Sequence, residues 1–289
     1  MNSSAEYSDE QKSLLLLLSN HNEKVFLLVA PSFVVDFDYL SFVPLMKGLG
    51  FDKVSELTFG AKIINQNYHA FIKKNKLKQK KFISSVCPAS VQLVRTKHPE
   101  LVKFLMSFDS PVIAMTKIIR KHYPEYKIVF LAPCFAKKAE CADSQIVDVA
   151  LTFGELKQIL ANEKSKKKNV SHLFDRFYND YTKVYPLSGG LSATLHSKDI
   201  LKKNEVVACD GCVDLMRLFD KHSDKVFYDI LFCKGGCIGG NGVAPKLSLV
   251  ERKKRVLKYR EFSNREDIPE NRKGLNKYTA RINFEKKFA

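Results

Sequence analysis

The chain has 289 residues, 45% hydrophobic and 27% charged, values that exclude a disordered chain and allow a full core in one large domain or two lobes. Its seven cysteines are an odd number in a chain too long to need disulfide staples, which favours thiols in a reducing compartment as ligands or packing groups. The net charge of +17 is carried by lysines spread along the chain without a nucleic-acid motif, so it points away from nucleic acid and leaves an acidic protein partner such as an electron carrier open.

No apolar run reaches the roughly 18 residues of a membrane span. The leucines at 14–18 do not follow a basic start, so the chain reads as cytoplasmic rather than secreted. Taken in order, 8–19 predicts a short helix and 25–30 a continuous apolar strand that ends in a loop at Pro31-Ser32. Residues 42–49 have helical spacing up to Gly50, 54–58 read as strand, and 60–73 as an amphipathic helix. A lysine-rich connector at 73–81 leads to a strand over 82–86, which runs into Cys87-Pro88.

Helices follow at 89–95, at 98–104, and at 112–122 behind Ser110-Pro111, proline being favoured in a first turn. Residues 127–132 form a second buried strand, which runs into Pro133-Cys134. Strand 147–151, helix 153–161, a charged loop at 163–169, and a turn and helix over 188–196 come next. Then come strand 205–208, helix 212–222 and strand 227–232, which delivers Cys233 and Cys237 on a glycine-rich loop. Strand and helix alternate, which implies an α/β fold of parallel sheets flanked by helices. Three segments are set apart: an N-terminal extension over 1–23, a body over 24–250, and a basic extension over 251–289. The last has 13 Lys+Arg against 6 Asp+Glu and is expected to begin as a helix and then run over the surface.

The cysteines carry the chemistry. In parallel sheets ligands bind beyond the carboxyl ends of strands, so Cys87, Cys134, Cys233 and Cys237, each behind a β-run, can meet at one site. Four thiolates are the set that holds a [4Fe–4S] cluster. A local rival is Cys209-x-x-Cys212 followed by Cys233-x3-Cys237, which has zinc-ribbon spacing but leaves Cys87 and Cys134 without a role. Spacing alone leaves both readings open. Cys141 otherwise reads as a packing cysteine, and Cys209 and Cys212 as packing cysteines or as a pair that binds a second metal or is redox-active.

Three ordered segments resemble signatures of the catalytic domain of iron-only ([FeFe]) hydrogenases. They are Ser84-Ser85-Val86-Cys87-Pro88-Ala89, Ala132-Pro133-Cys134-Phe135-Ala136-Lys137-Lys138-Ala139-Glu140, and Cys233-Lys234-Gly235-Gly236-Cys237-Ile238-Gly239-Gly240. Phe227 and Asp229 stand where that family has Phe and Glu. The resemblance implies two α/β lobes with a [4Fe–4S] cluster buried between them, held by Cys87, Cys134, Cys233 and Cys237. It also implies that Gly235, Gly236 and Gly239 shape the cofactor loop. Cys237 would bridge to a two-iron subsite with CO and CN ligands, completing an H-cluster, and Lys137 would donate to a cyanide ligand. A ferredoxin-type electron carrier or a signalling partner, in a setting of anaerobic metabolism, is implied as well.

The departures from the pattern are specific. The family's proton-donating cysteine is replaced by Val86, which has no exchangeable proton. Gln66, His69 and Met106 stand near the acids and serine of the usual relay. Ala132 replaces a methionine, and Asn241 interrupts the glycine run. These features resemble the sensory branch of the family, so the expected activity is redox or H2 sensing, or slow hydrogen turnover; the alternatives are an active hydrogenase interconverting H2 with protons and electrons, and a zinc- or cluster-binding interaction protein.

Overall fold

The computed structural model describes residues 6–163, 167–211, 214–244 and 246–288. Helix α1 (Asp9–Ser19) starts with a capping box, in which Ser8 and Gln11 satisfy each other's backbone N–H. Then follow β1 (Lys24–Val29), a 3-10 turn at Pro31–Val35, α2 (Tyr39–Leu49), β2 (Lys53–Glu56) and α3 (Thr58–Asn75). The middle of the chain gives β3 (Phe82–Ile83), α4 (Pro88–Lys97), a 3-10 turn at Pro99–Phe104, α5 (Pro111–His122), β4 (Tyr126–Ala132) and α6 (Phe135–Ser144). Beyond it are β5 (Val149–Thr152), α7 (Phe153–Asn162), α8 (Gly190–Thr194), β6 (Val206–Asp210), α9 (Leu215–Lys221), β7 (Phe227–Leu231) and α10 (Leu249–Ser263).

Two parallel sheets organise these elements, as the alternation of strand and helix predicts. One has the order β2-β1-β4-β5 and the other β3-β7-β6. In the first, Leu28 pairs with Phe130 on one side and Ser55 on the other, and β1 and β4 are apolar on both faces because helices cover both. The expected strand over 82–86 is only two residues long. Ile83 bridges Leu105, Ser84 keeps one backbone bond to β7 by donating to the Tyr228 carbonyl at 2.9 Å, and Ser85 and Val86 leave the ladder; the Ser85 hydroxyl bonds the Met106 carbonyl at 2.6 Å instead. Helix α6, absent from the sequence expectation, fills the space behind Cys134. The 98–104 segment is 3-10 rather than α. The expected helix over 212–222 is observed from Leu215, and Cys212 lies outside the described residues.

The C-terminal segment is stitched into the body by a buried polar cluster. Lys183 and Glu56, both essentially without solvent exposure, form an ion pair. The Tyr259 hydroxyl from α10 donates to Glu56 Oε1 at 3.0 Å and lies 2.5 Å from Lys183 Nζ. The Lys183 ammonium also sits 4.5 Å from the centroid of the Tyr178 ring, a cation–π contact. Farther out, Glu266 accepts from the hydroxyls of Tyr39 at 2.6 Å and Tyr178 at 3.1 Å, and lies 2.8 Å from His172 Nε2. Burial pushes the Glu56 carboxyl up and the Lys183 ammonium down, each toward its neutral form, and their mutual attraction opposes both.

Removing one partner strands the other charge. Lys183→Met is expected to destabilise the fold by about 3–5 kcal/mol in urea unfolding. Combined with Glu56→Leu it should recover most of that loss. A double variant no more stable than the single one would show that the ion pair is not what the cluster depends on.

Candidate metal centre

The carboxyl ends of strands from both sheets open onto one cavity of about 70 Å3. Its walls include Ala30, Pro31 and Ser32 after β1, Leu57 after β2, Val86, Cys87 and Pro88 beyond β3, Pro133 and Cys134 after β4, Leu231 at the end of β7 and Cys237 beyond it. Tyr185 and Pro186 close it from the irregular segment before α8. Binding sites form beyond parallel strand ends because side chains there are freed from the ladder, and here two sheets aim their ends at the same space.

Cys87, Cys134 and Cys237 therefore share a cavity although they lie far apart in sequence. Cys233 is not a wall residue, but its charge reaches Cys237, as do those of Cys87 and Cys134. Burial first, and these neighbours second, push the Cys237 thiol well above its ordinary range, while Lys137 opposes them. Cys134 is raised for the same leading reason. Among the described residues no three His, Cys, Asp or Glu side chains are placed to hold a single metal ion. The zinc-ribbon alternative needs Cys212, which lies outside the described residues, and Cys209 sits in β6 beside Ile230, its thiol pushed by burial to about 11. Cys141 is buried on α6 as part of the apolar core, and burial raises it to about 12.

The loop after β7 depends on glycine where the backbone is closest packed. Gly236 has φ +82°, and a Cβ there would lie 2.5 Å from the Pro186 carbonyl oxygen; at Gly239 it would lie 2.0 Å from the Lys234 oxygen. Gly235 shares the +82° φ. This close approach lets the Cys237 N–H donate to the Pro186 oxygen at 2.7 Å, which fixes Cys237 against the Tyr185–Pro186 wall. Asn241 has a role too: its Oδ1 accepts from the Phe135 N–H at 3.1 Å, serving a free donor at the start of α6 that Cys134 does not cap.

Helix α6 in turn carries Lys137, buried and lining the cavity. Its Nζ bonds Glu140 Oε2 at 2.6 Å, and Ser110 donates to that same oxygen at 2.9 Å. Burial pushes Lys137 down, but the Glu140 carboxylate outweighs it and holds the ammonium above its ordinary pKa. Lys138 points away and pairs with Glu155 at 2.6 Å. Ser32 is a residue the sequence reading passed over. It has no solvent exposure, lines the cavity, and its hydroxyl has no partner among the described residues.

Val86 forms an apolar part of the wall, 5% exposed. The inward side of α3 carries Ala61, Asn65 and Tyr68. Gln66 is exposed, and His69 pairs with Asp199 at 2.9 Å near the surface. Met106 is fully buried, and its carbonyl is occupied by Ser85.

These features coincide with a family model. Residues 23–241 match the iron only hydrogenase large subunit, C-terminal domain. The chain belongs to that family. Solved structures share its fold at low identity. A single-residue variant of the [FeFe]-hydrogenase HydA1 from Chlamydomonas reinhardtii is 14% identical over 92% of this chain and 90% of its own, with a TM-score of 0.63. A HydA(deltaEFG) structure described as revealing stepwise [FeFe]-hydrogenase H-cluster assembly is 15% identical over 86% and 88%, with a TM-score of 0.62. An apo variant of the same Chlamydomonas reinhardtii HydA1 is 16% identical over 92% and 90%, also with a TM-score of 0.62.

Asp229 lies in β7 almost fully buried. Its Oδ2 accepts from the Ser192 N–H and hydroxyl, both at 2.9 Å, while Oδ1 has no partner among the described residues. Burial pushes its pKa from 3.8 to about 6 despite the lowering effect of the Ser192 bonds. The folded chain thus holds this proton more tightly than the unfolded one. The contribution to stability is full below about pH 4 and is lost as pH rises through about 6, on the order of 3 kcal/mol in all. Asp229→Asn is expected to flatten that slope, as read from urea midpoints across the same pH window; an unchanged slope would assign the dependence to other groups.

Proposed function

We propose that the chain is an iron–sulfur protein that keeps the cluster site of its family and lacks its proton delivery, working in redox or H2 sensing rather than in fast hydrogen turnover. In this reading Cys87, Cys134, Cys233 and Cys237 hold a [4Fe–4S] cluster, which when bound supplies one-electron chemistry. Support comes from the donor set: thiols from both sheets meet where burial disfavours bare thiolates and a buried ammonium stands beside them. The observation that carries the loss of turnover is Val86. It occupies the cavity wall where a titratable group would have to stand, and no acid replaces it on the inward side of α3.

The second reading, an active hydrogenase, rests on Lys137 and Ser32. Both polar groups line the cavity, and they would orient CO and CN ligands of a two-iron subsite by hydrogen bonds, with Cys237 as the bridging thiolate. A cytoplasmic setting and an electron carrier or signalling protein as partner complete the proposal. No helix among the described residues is long and apolar enough to cross a membrane.

Protein purified without oxygen should be brown and carry about four irons per chain, the content of one cluster. Zinc in place of iron would overturn the proposal. Hydrogen turnover should be near background and should rise in Val86→Cys only if a two-iron subsite is present, which infrared bands of CO and CN would report. Fast turnover by the unmodified protein would replace the first reading with the second.

A further inference from the structure

Tyr185 closes the cysteine cavity on one side, and its hydrogen-bond partner, Asn65, lines a second hollow. That hollow, of about 500 Å3, lies between α3 and the chain around α8. Lys62, Gln66 and His69 stand on the first side, and Tyr181, Thr194 and His196 on the second. Gln66 and His196 are exposed, so the hollow opens to solvent. A hydrogen bond links the two spaces: the Tyr185 hydroxyl donates to Asn65 Oδ1 at 3.2 Å.

The two ends of that bond are held differently. Asn65 is buried and fixed, because its Nδ2 donates to the carbonyl and the hydroxyl of Thr194, both at 2.9 Å. The backbone around Tyr185 is fixed too. A Cβ on Gly190 would lie 2.1 Å from the Val184 oxygen, so the chain is closely folded there, and the Cys237 N–H anchors Pro186. The Tyr185 side chain is the part left to swing: among the described residues its hydroxyl makes this one bond, and 3.2 Å is long against the usual length of about 2.7–2.8 Å for a hydroxyl donor. Burial first, then Tyr68, Asp229 and Cys237, push that hydroxyl well above its ordinary range, so it stays a donor.

The other polar groups of the cavity wall are shut in or locked. Ser32 has no solvent exposure. Lys137 does point toward an exit, because its partner Glu140 borders a larger hollow, of about 1030 Å3, between α4 and α6. That link is a bond of 2.6 Å between opposite charges, with Ser110 on the same oxygen. A short bond between charges outlasts a long one between neutral groups, so the wall is weakest at Tyr185. We propose that the Tyr185 side chain is a door, latched by Asn65, through which water and small neutral molecules pass between the hollow at α3 and the cysteines. The latched pair is no proton wire, since an amide oxygen only accepts, and the passage therefore does not replace what Val86 removes. The inference stands on the two hollows and the bond between them, whether or not a cluster is held.

The test uses the full chain, isolated without oxygen and treated with a chelator to free its thiols, and methyl methanethiosulfonate as a small neutral probe. Labelling of Cys237 is followed by peptide mass spectrometry, with Cys141, buried in the core on α6, as the internal control. Tyr185→Phe keeps the ring and removes the latch. It should speed Cys237 labelling about fivefold, the shift that loss of one ordinary hydrogen bond gives, and leave Cys141 unchanged. Asn65→Ala should speed it at least as much, and the double variant should be no faster than Asn65→Ala alone, because both changes remove the same bond. Ser110→Ala, which loosens Glu140 beside the other hollow, should alter the rate less than about twofold. Unchanged labelling in Tyr185→Phe and Asn65→Ala, an equal rise at Cys141, rates that multiply in the double variant, or an equal rise in Ser110→Ala would overturn the door. Iron content, read separately, decides the cluster assignment whatever the labelling shows.

Discussion

Thiols that are gathered where water cannot solvate them resist becoming thiolates, and each one that ionises makes the next harder. Cys237 shows this: burial leads, and Cys87, Cys134 and Cys233 add to it. The cation that opposes them is Lys137, itself buried and held charged by Glu140. Such a site keeps its thiols protonated, and a metal that bound them there would have to displace their protons. Everything else in the fold either brings the thiols together or keeps solvent from them.

The two sheets do the first of these. β1, β2 and β4 end on one side of the cavity, and β3 and β7 on the other, so no single strand–loop unit contains the site. Helix α6 then performs two tasks that its position dictates. Its start extends the Cys134 loop and is capped by Asn241 of the glycine loop; its first turn swings Lys137 inward while Lys138 faces Glu155.

The fold was readable because its signals are local: apolar runs such as those at β1 and β4 mark strands buried on both faces whatever they pair with. The cysteine segments were legible for a similar reason, each being a short run at a strand end. What escaped the sequence depends on distance. Ser32 sits in an ordinary Pro-Ser loop, and only the arrival of other loops makes its hydroxyl a cavity group. Lys183, Glu56 and Tyr259 are separated by more than seventy residues each, so nothing in any one segment marks them as partners. Residues 82–86 misled because their β-prone composition continues past the point where Ser84 and Ser85 turn their hydroxyls to backbone carbonyls and amides instead of pairing. Asn241 looked like a defect in a glycine run, whereas its partner lies about a hundred residues earlier.

The polar cluster around Lys183 has a consequence in time as well as in space. Glu56 immediately precedes the wall residue Leu57, and Lys183 stands just before Tyr185 and Pro186, so the bracing of both walls waits for Tyr259 and Glu266. During synthesis, a nascent chain that has emerged only as far as Cys237 has all of its cavity cysteines but not the helix that locks their surroundings. The last helix thus completes a brace whose other members, Glu56 and Lys183, emerge long before it.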